Sequence, residues 1–321
     1  MKASILIPTY GNRPQYLRDE LALLQAQNFP SAEYEILVID NGPFPETLQI
    51  AKEFCRNGKH PVRYVKETKP GLLEARHAGA RQAQGEILVY LDDDVLLPAD
   101  WLKFTLEPYQ DPRVGGTGGK VVLQIEGKAP EWVSHFGSVC HSALDLGDVT
   151  LELKWPDCGW GCNMSVRKKV FDEVEGFHPD LFGDKKLWKF IGDGECGFQK
   201  KIYGAGYKII YEPKAWLYHR IPESRLTEAY FYQRVYISGI IDSYTEIRSS
   251  KPSVFFPIRL LWGTTVGFFQ AGLKYLSSIV KPKWRVRSKA DALYWVAYAK
   301  HRIQAVFDKK LRAYIFQRNY L

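Results

Sequence analysis

Apolar residues along this chain alternate between short continuous runs and spaced, helix-like patterns. Residues 5–8 form an apolar run that ends in proline; residues 35–40 form a second, closed by Asn41-Gly42-Pro43. Residues 62–65 and 86–91 repeat the pattern. Runs this short, bounded by turn residues, predict strands buried on both faces. Between them, 15–27, 45–56 and the stretch from Pro70-Gly71 through Gln84 predict helices, and Gly85 breaks the last. Strands separated by helices at this spacing predict βαβ units, a mainly parallel sheet and an α/β fold. Ligands of such sheets bind beyond the carboxyl ends of the strands.

Residues 113–165 lose that period. They hold glycines 115, 116, 118 and 119 and many aromatics, and mixed strands with long loops are expected, the kind of segment that builds ligand specificity. Further helices are expected near Val166 and Asp193, short strands at 207–211 and 215–218, and a long helix over 222–248. Residues 254–280 are apolar and aromatic, but Arg259 and Lys274 interrupt them. The longest uncharged stretch there, 260–273, is short of the roughly 20 residues a spanning helix needs.

Composition narrows the picture. With 321 residues, 45% hydrophobic and 25% charged, the chain is neither disordered nor a polytopic membrane protein. The net charge of +8 is uneven: residues 281–321 carry +9 and the first 280 carry −1. A nucleic-acid enzyme would place positive charge around its site, so no nucleic-acid partner is expected. A basic tail beside an apolar segment predicts an interfacial anchor on an anionic membrane surface. The alternative is a C-terminal helical subdomain whose apolar face packs on the core. Five cysteines suit a reducing compartment, and the N-terminal apolar run is too short for a signal peptide. The expected location is cytoplasmic, peripheral on the inner face of the membrane.

Asp92-Asp93-Asp94, at the end of an apolar strand, is the sharpest chemical signal. Adjacent carboxylates repel by about 1 kcal/mol per pair at 4 Å even in water, and by more when partly buried. A divalent cation shared with substrate phosphates offsets that; a solvated acidic turn is the alternative. Asp40 also ends a strand, either forming the turn at Asn41-Gly42 or accepting from a base N–H or ribose hydroxyl.

Taken in order, Pro8-Thr9-Tyr10, Val38-Ile39-Asp40-Asn41-Gly42, Gly71 through Gly79 and Leu91-Asp92-Asp93-Asp94 resemble the successive motifs of family 2 glycosyltransferases. The resemblance continues through Gly161-Cys162-Asn163-Met164, Asp193-Gly194-Glu195, Gly206-Tyr207-Lys208-Ile209 and Glu212 to His219, and covers roughly residues 3–220. It implies a GT-A-like nucleotide-sugar-binding domain over 1–220, with a donor half to about 112 and an acceptor half over 113–220, followed by a C-terminal helical, basic region over 221–321. It implies that Thr9, Tyr10 and Asp40 hold the nucleoside, with Asp40 on the base, that Pro8 and Gly71 also bind the donor, and that Arg76 approaches the base or diphosphate. Asp92 then contacts the ribose or the cation's water shell, Asp93 is donor-binding, Asp94 binds Mn²⁺ or Mg²⁺, and His219 is a further cation ligand, a diphosphate contact or a histidine satisfied by backbone near Tyr218. Asp193 is the implied general base. The activity implied is inverting transfer, from a UDP-sugar, to a glycan or lipid-linked acceptor.

The chemistry asks for these residue types independently. A departing diphosphate calls for a cation, and an attacking hydroxyl needs one carboxylate to take its proton. The chain departs from the family pattern at Gly192, where a second acid is usual, at His77 and at Pro43. A register shift of two would make Glu195 the base, and residues two apart on a helix do not face the same way.

Other signals carry less. Gly192 to Gly197 spells G-x-G-x-x-G, but no clean strand precedes it and its two acids would repel a pyrophosphate. Cys158 and Cys162 lack a second ligand pair and read as core thiols. Trp155, Trp160 and Trp188 are either a sugar-stacking platform or core. A sugar-phosphate nucleotidyltransferase would want a basic glycine-rich loop after the first strand, where Gly11-Asn12-Arg13 is a poor fit. Gly192 leaves open a nucleotide-binding module without catalysis.

Overall fold

The computed structural model describes residues 1–179, 184–250, 256–280 and 284–320. Its first half is the expected alternation: β1 (Ala3–Thr9), α1 (Pro14–Gln25), β2 (Tyr34–Asp40), α2 (Glu46–Asn57), β3 (Val62–Lys66), α3 (Leu72–Gln82) and β4 (Ile87–Leu91). β1, β2 and β4 are buried at every position, as continuous apolar runs require when helices cover both faces. One core layer places Leu17, Leu21 and Leu24 of α1 against Ile5, Ile7, Ile36 and Val38. The other places α3 against Leu6, Leu37 and Ile39. The turn after β2 must be glycine: a Cβ on Gly42 would lie 1.6 Å from the Tyr10 carbonyl oxygen.

The chain continues through β5 (Val95–Leu96), α4 (Trp101–Leu106), β6 (Val114–Ile125), β7 (Leu151–Glu152), β8 (Asn163–Arg167), α5 (Lys168–Glu173), α6 (Gly194–Gly204) and β9 (Lys208–Ile221). The sheet order is β3-β2-β1-β4-β8-β6-β9-β5, with β7 beside β9. β1, β2, β3 and β4 pair in parallel, β8 runs antiparallel to β4 and β6, and β6 runs parallel to β9. The strand order reverses between β1 and β4, so a crevice opens at the carboxyl ends of β1, β2 and β4.

Three sequence expectations change here. The glycines of 115–119 lie inside one long buried strand, β6, not a loop. The two short strands over 207–218 are one, β9. The helix expected near Val166 begins at Lys168, after β8.

Four helices complete the chain: α7 (Glu228–Ser249), α8 (Phe256–Val280), α9 (Arg285–Phe307) and α10 (Lys309–Ile315). α7 starts later than expected because Thr227 caps it, its side chain accepting from Tyr230 N. These helices dock on the α/β unit. His301 Nε2 lies 3.1 Å from the Lys189 carbonyl, and Tyr320 joins the core layer of α3 and α6, with its hydroxyl 3.0 Å from that of Tyr244. Val254, Lys281 and Lys283 of the apolar and basic segments lie outside the described residues.

Trp101 anchors the join between the halves. It is fully buried, and its indole donates to Asn163 Oδ1 at 3.0 Å, while the Asn163 amide donates to the carbonyls of Ala215 and Lys120. Trp101→Ala is expected to cost about 3–5 kcal/mol. Urea unfolding should show a lower midpoint; an unchanged midpoint would contradict this packing.

Candidate active site

Each strand that ends at the crevice delivers one predicted residue or group. β1 delivers Pro8, Thr9 and Tyr10, β2 delivers Asp40, and the turn after β4 delivers the Asp triplet. A cleft of about 390 Å³ is lined by Pro8, Thr9, Tyr10, Asn41, Gly71 and Leu187. Four residues expected to bind the donor, Pro8, Thr9, Tyr10 and Gly71, thus share one cleft. Asp40 is buried beside it and accepts from Gly42 N at 3.1 Å, the Tyr64 hydroxyl at 2.7 Å and Lys66 Nζ at 3.0 Å. The turn-forming reading of Asp40 is met by the contact with Gly42 N.

The Asp triplet splits. Asp92, Asp94 and His219 bring one ligand atom each within 4.8 Å of one another. Asp93 turns aside and accepts from the Thr9 hydroxyl. Burial and the neighbouring Asp94 charge push the Asp93 carboxyl up to about 7. Asp94 behaves oppositely. Burial alone would raise it, but the facing His219, Arg225 and Arg13 hold it at about 2. Arg13 Nη1 reaches Asp94 Oδ2 at 2.7 Å and Arg225 Nη1 at 3.1 Å. Beneath the triplet, Glu20 is fully buried and neither carboxyl oxygen has a hydrogen-bond partner. Burial, then the charges of Asp93, Asp94 and Asp92, raise it well above the ordinary carboxylate value.

The donor set fits a divalent cation. His219 Nδ1 lies 2.8 Å from the His141 carbonyl, which places a proton on Nδ1, so Nε2, 3.1 Å from Asp94 Oδ1, is the ring nitrogen that would ligate a cation once it gives up its own proton. The backbone-satisfied reading of His219 is met at Nδ1, and Nε2 is left facing the Asp cluster. Two carboxylates and an imidazole suit Mn²⁺ or Mg²⁺, with positions left for phosphate and water.

The two candidate bases part company on α6. Glu195 pairs with Arg76 Nη1 at 3.2 Å, and Arg76 Nη2 lies 3.9 Å from Asp92. Asp193 lies at the helix N-cap, its side chain 5% exposed against 21% for Glu195. His178 Nδ1 sits 2.5 Å from Asp193 Oδ1, and Thr245 of α7 donates to Oδ2 at 3.1 Å. Burial lowers His178, and Asp193 only partly opposes it.

Sequence reasoning missed Arg13, Arg225, His178 and Thr245. Arg13 sat in a stretch dismissed as a poor phosphate loop, and Arg225 in one read as helix. The other two are joined to the site only by the fold. Cys158 is a correction: it is bonded to Cys196, not a free core thiol, so cysteine usage no longer supports a reducing compartment. Cys162 is a buried thiol as expected. Trp155 is exposed with Lys200 Nζ 5.0 Å from its ring centre, while Trp160 and Trp188 are half-buried.

Comparison with known proteins fits this geometry. A model described as "Glycosyl transferase family 2" matches residues 4–175. Among curated relatives, the glycosyltransferase AglE of Haloferax volcanii is 26% identical over 211 residues, 65% of this chain and 63% of that protein. The dolichol-phosphate mannosyltransferase of Pyrococcus furiosus is 28% identical over 61% of this chain and 53% of its own length. The chain thus spans less than two thirds of each of these two relatives. Among solved structures, the mannosyltransferase PcManGT from Pyrobaculum calidifontis, in complex with GDP-Man and Mn²⁺, matches with a TM-score of 0.62 at 18% identity, covering 96% of this chain and 88% of that one. TarS 1-349 of S. aureus in complex with UDP-GlcNAc gives 0.56 at 18% identity over 94% and 92%. These likenesses establish the fold.

Proposed function

This chain belongs to glycosyl transferase family 2, and on that footing we propose that it is an inverting, metal-dependent transferase acting on a nucleotide-sugar, with a UDP-sugar as first choice. The observation that carries the reading is the Asp92–Asp94–His219 cluster at the strand ends that also form the cleft of Pro8, Thr9, Tyr10 and Gly71. PcManGT, in complex with GDP-Man and Mn²⁺, supports donor and cation together on the same fold, and TarS, in complex with UDP-GlcNAc, supports the donor.

Asp92, Asp94 and His219 would hold Mn²⁺ or Mg²⁺, which when bound neutralises charge developing on the departing diphosphate. Arg13 and Arg225, already turned to Asp94, bring positive charge to the same place. Tyr10, more than half exposed at the cleft, offers a ring face to the base, and Asp40 offers its carboxylate. The acceptor, a hydroxyl of a glycan or lipid-linked sugar, attacks the anomeric carbon from the face opposite the diphosphate. Its C–O bond forms as the bond to the diphosphate breaks, and its proton passes to a carboxylate.

Asp193 is the better base of the two. An ion pair with a guanidinium stabilises a carboxylate and weakens it as a proton acceptor, and Glu195 is so paired. Asp193 faces a hydroxyl and an imidazole that burial keeps neutral. The proposed location is peripheral, at a cytoplasmic membrane face; among the described residues no helix is long and apolar enough to cross a membrane.

Calorimetric titration of UDP and GDP with and without Mn²⁺ tests the site. One nucleotide is expected to bind at least about tenfold more tightly with the cation; equal affinity in its presence and absence would sink the reading. The cation effect should also fade as pH falls. His219 is raised above its ordinary value, because Asp94 outweighs the effect of burial. Below that raised value the ring holds a proton on Nε2 and cannot ligate, so Mn²⁺ affinity drops there. Mn²⁺ titrations across the acid range check this, and a flat profile would remove His219 from the cation site.

A further inference from the structure

The outer face of α8 stands apart from the site. The helix runs 25 residues, and its exposed positions recur at steps of three and four: Ile258, Leu261, Trp262, Phe268, Phe269, Leu273, Leu276, Ile279 and Val280. Trp262 is 70% exposed, Phe269 66% and Val280 74%. The opposite side, Leu260, Thr264, Ala271 and Ser278, is buried. The C-terminal helices thus pack on the core, and one of them also keeps a long apolar face toward solvent. A contiguous apolar stripe of this size marks an interaction surface.

Its charge decides the occupant. α8 contains no acidic residue, and exposed Arg259 stands at the edge of the stripe, while Lys274 lies on the packed side with its Nζ 3.6 Å from Asp291 Oδ2 of α9. Exposed Arg285, Arg287 and Lys289 follow at the start of α9, and exposed Trp284 joins them at the helix end. An apolar stripe with aromatic residues, no acid on its own helix and the exposed cations Arg259 and Arg285 near its two ends matches the interface of an anionic bilayer, where apolar side chains enter the acyl boundary and cations meet headgroups. A second copy of the same face would set these cations against each other. We infer that the outer face of α8 is a docking surface for anionic membranes, holding the enzyme parallel to the bilayer plane without crossing it. This inference stands on α8 alone and not on the donor site.

The test is cosedimentation of the full chain with phosphatidylcholine vesicles with and without phosphatidylglycerol. The chain is expected to bind the anionic vesicles and to bind neutral ones at least about tenfold less. Trp262→Ser with Phe269→Ser, both exposed positions, should weaken binding by about tenfold or more while leaving calorimetric UDP binding unchanged. Arg285→Gln with Arg287→Gln and Lys289→Gln should weaken it in a salt-dependent way and leave the residual neutral binding intact. Equal vesicle binding by wild type and the Trp262/Phe269 variant would overturn the inference. So would a wild-type dimer in solution that this variant converts to monomer, which would assign the face to a second copy. Loss of UDP binding with vesicle binding intact would count against the transferase reading alone.

Discussion

Asp193→Asn is expected to lower turnover by about 10²–10⁴-fold with little change in donor KM, because an amide cannot take the acceptor's proton. The substitution keeps the side chain's size, and the Thr245 and His178 contacts can be remade with the amide oxygen and nitrogen. Glu195→Gln should act differently. It removes a negative charge from Arg76, which then draws on Asp92, and its signature is a raised donor KM with turnover reduced much less. Nucleoside diphosphate release, followed for both variants over a range of donor concentrations, separates the two. Near-normal turnover in Asp193→Asn together with its collapse in Glu195→Gln would move the base to Glu195.

Asp94→Ala should abolish the cation-dependent part of donor affinity, a loss of at least about 1.4 kcal/mol. Asp94 faces His219, Arg13 and Arg225 together. Removing it leaves three cationic or potentially cationic groups without their shared anion, so UDP alone should bind as well as in wild type, or more tightly. Calorimetry with and without Mn²⁺ reads both effects. A variant that keeps the full Mn²⁺ effect would show that Asp94 is no ligand.

The donor half of the fold was legible because parallel strands buried on both faces leave uninterrupted apolar runs, and their ends carried Thr9, Asp40 and Asp94 in plain sight. β6 was not, because its glycines look like a loop. They are there for close approach: a Cβ on Gly119 would lie 2.0 Å from the Ala215 carbonyl oxygen. β9 looked like two strands because Glu212-Pro213-Lys214 interrupts the apolar pattern, and the β6–β9 register does shift there. The Cys158–Cys196 bond joins residues 38 apart, a pairing that spacing alone cannot reveal. Arg225 and Thr245 reach Asp94 and Asp193 from beyond the span of the family resemblance, so only the packing of the C-terminal helices could connect them to the site. The alternation that read as an anchor or as a docked subdomain was ambiguous for a physical reason. α8 has one face of each kind.

The central claim is that this chain breaks a nucleotide-sugar bond with the help of a cation at Asp92, Asp94 and His219. Release of nucleoside diphosphate from a panel of UDP- and GDP-sugars, with simple sugar acceptors present and with Mn²⁺ or a chelator, tests it most directly. The account predicts release from one donor that depends on the cation and is lost in Asp94→Ala. Release that persists undiminished in the chelator, or none from any donor alongside tight Mn²⁺-independent nucleotide binding, would contradict it.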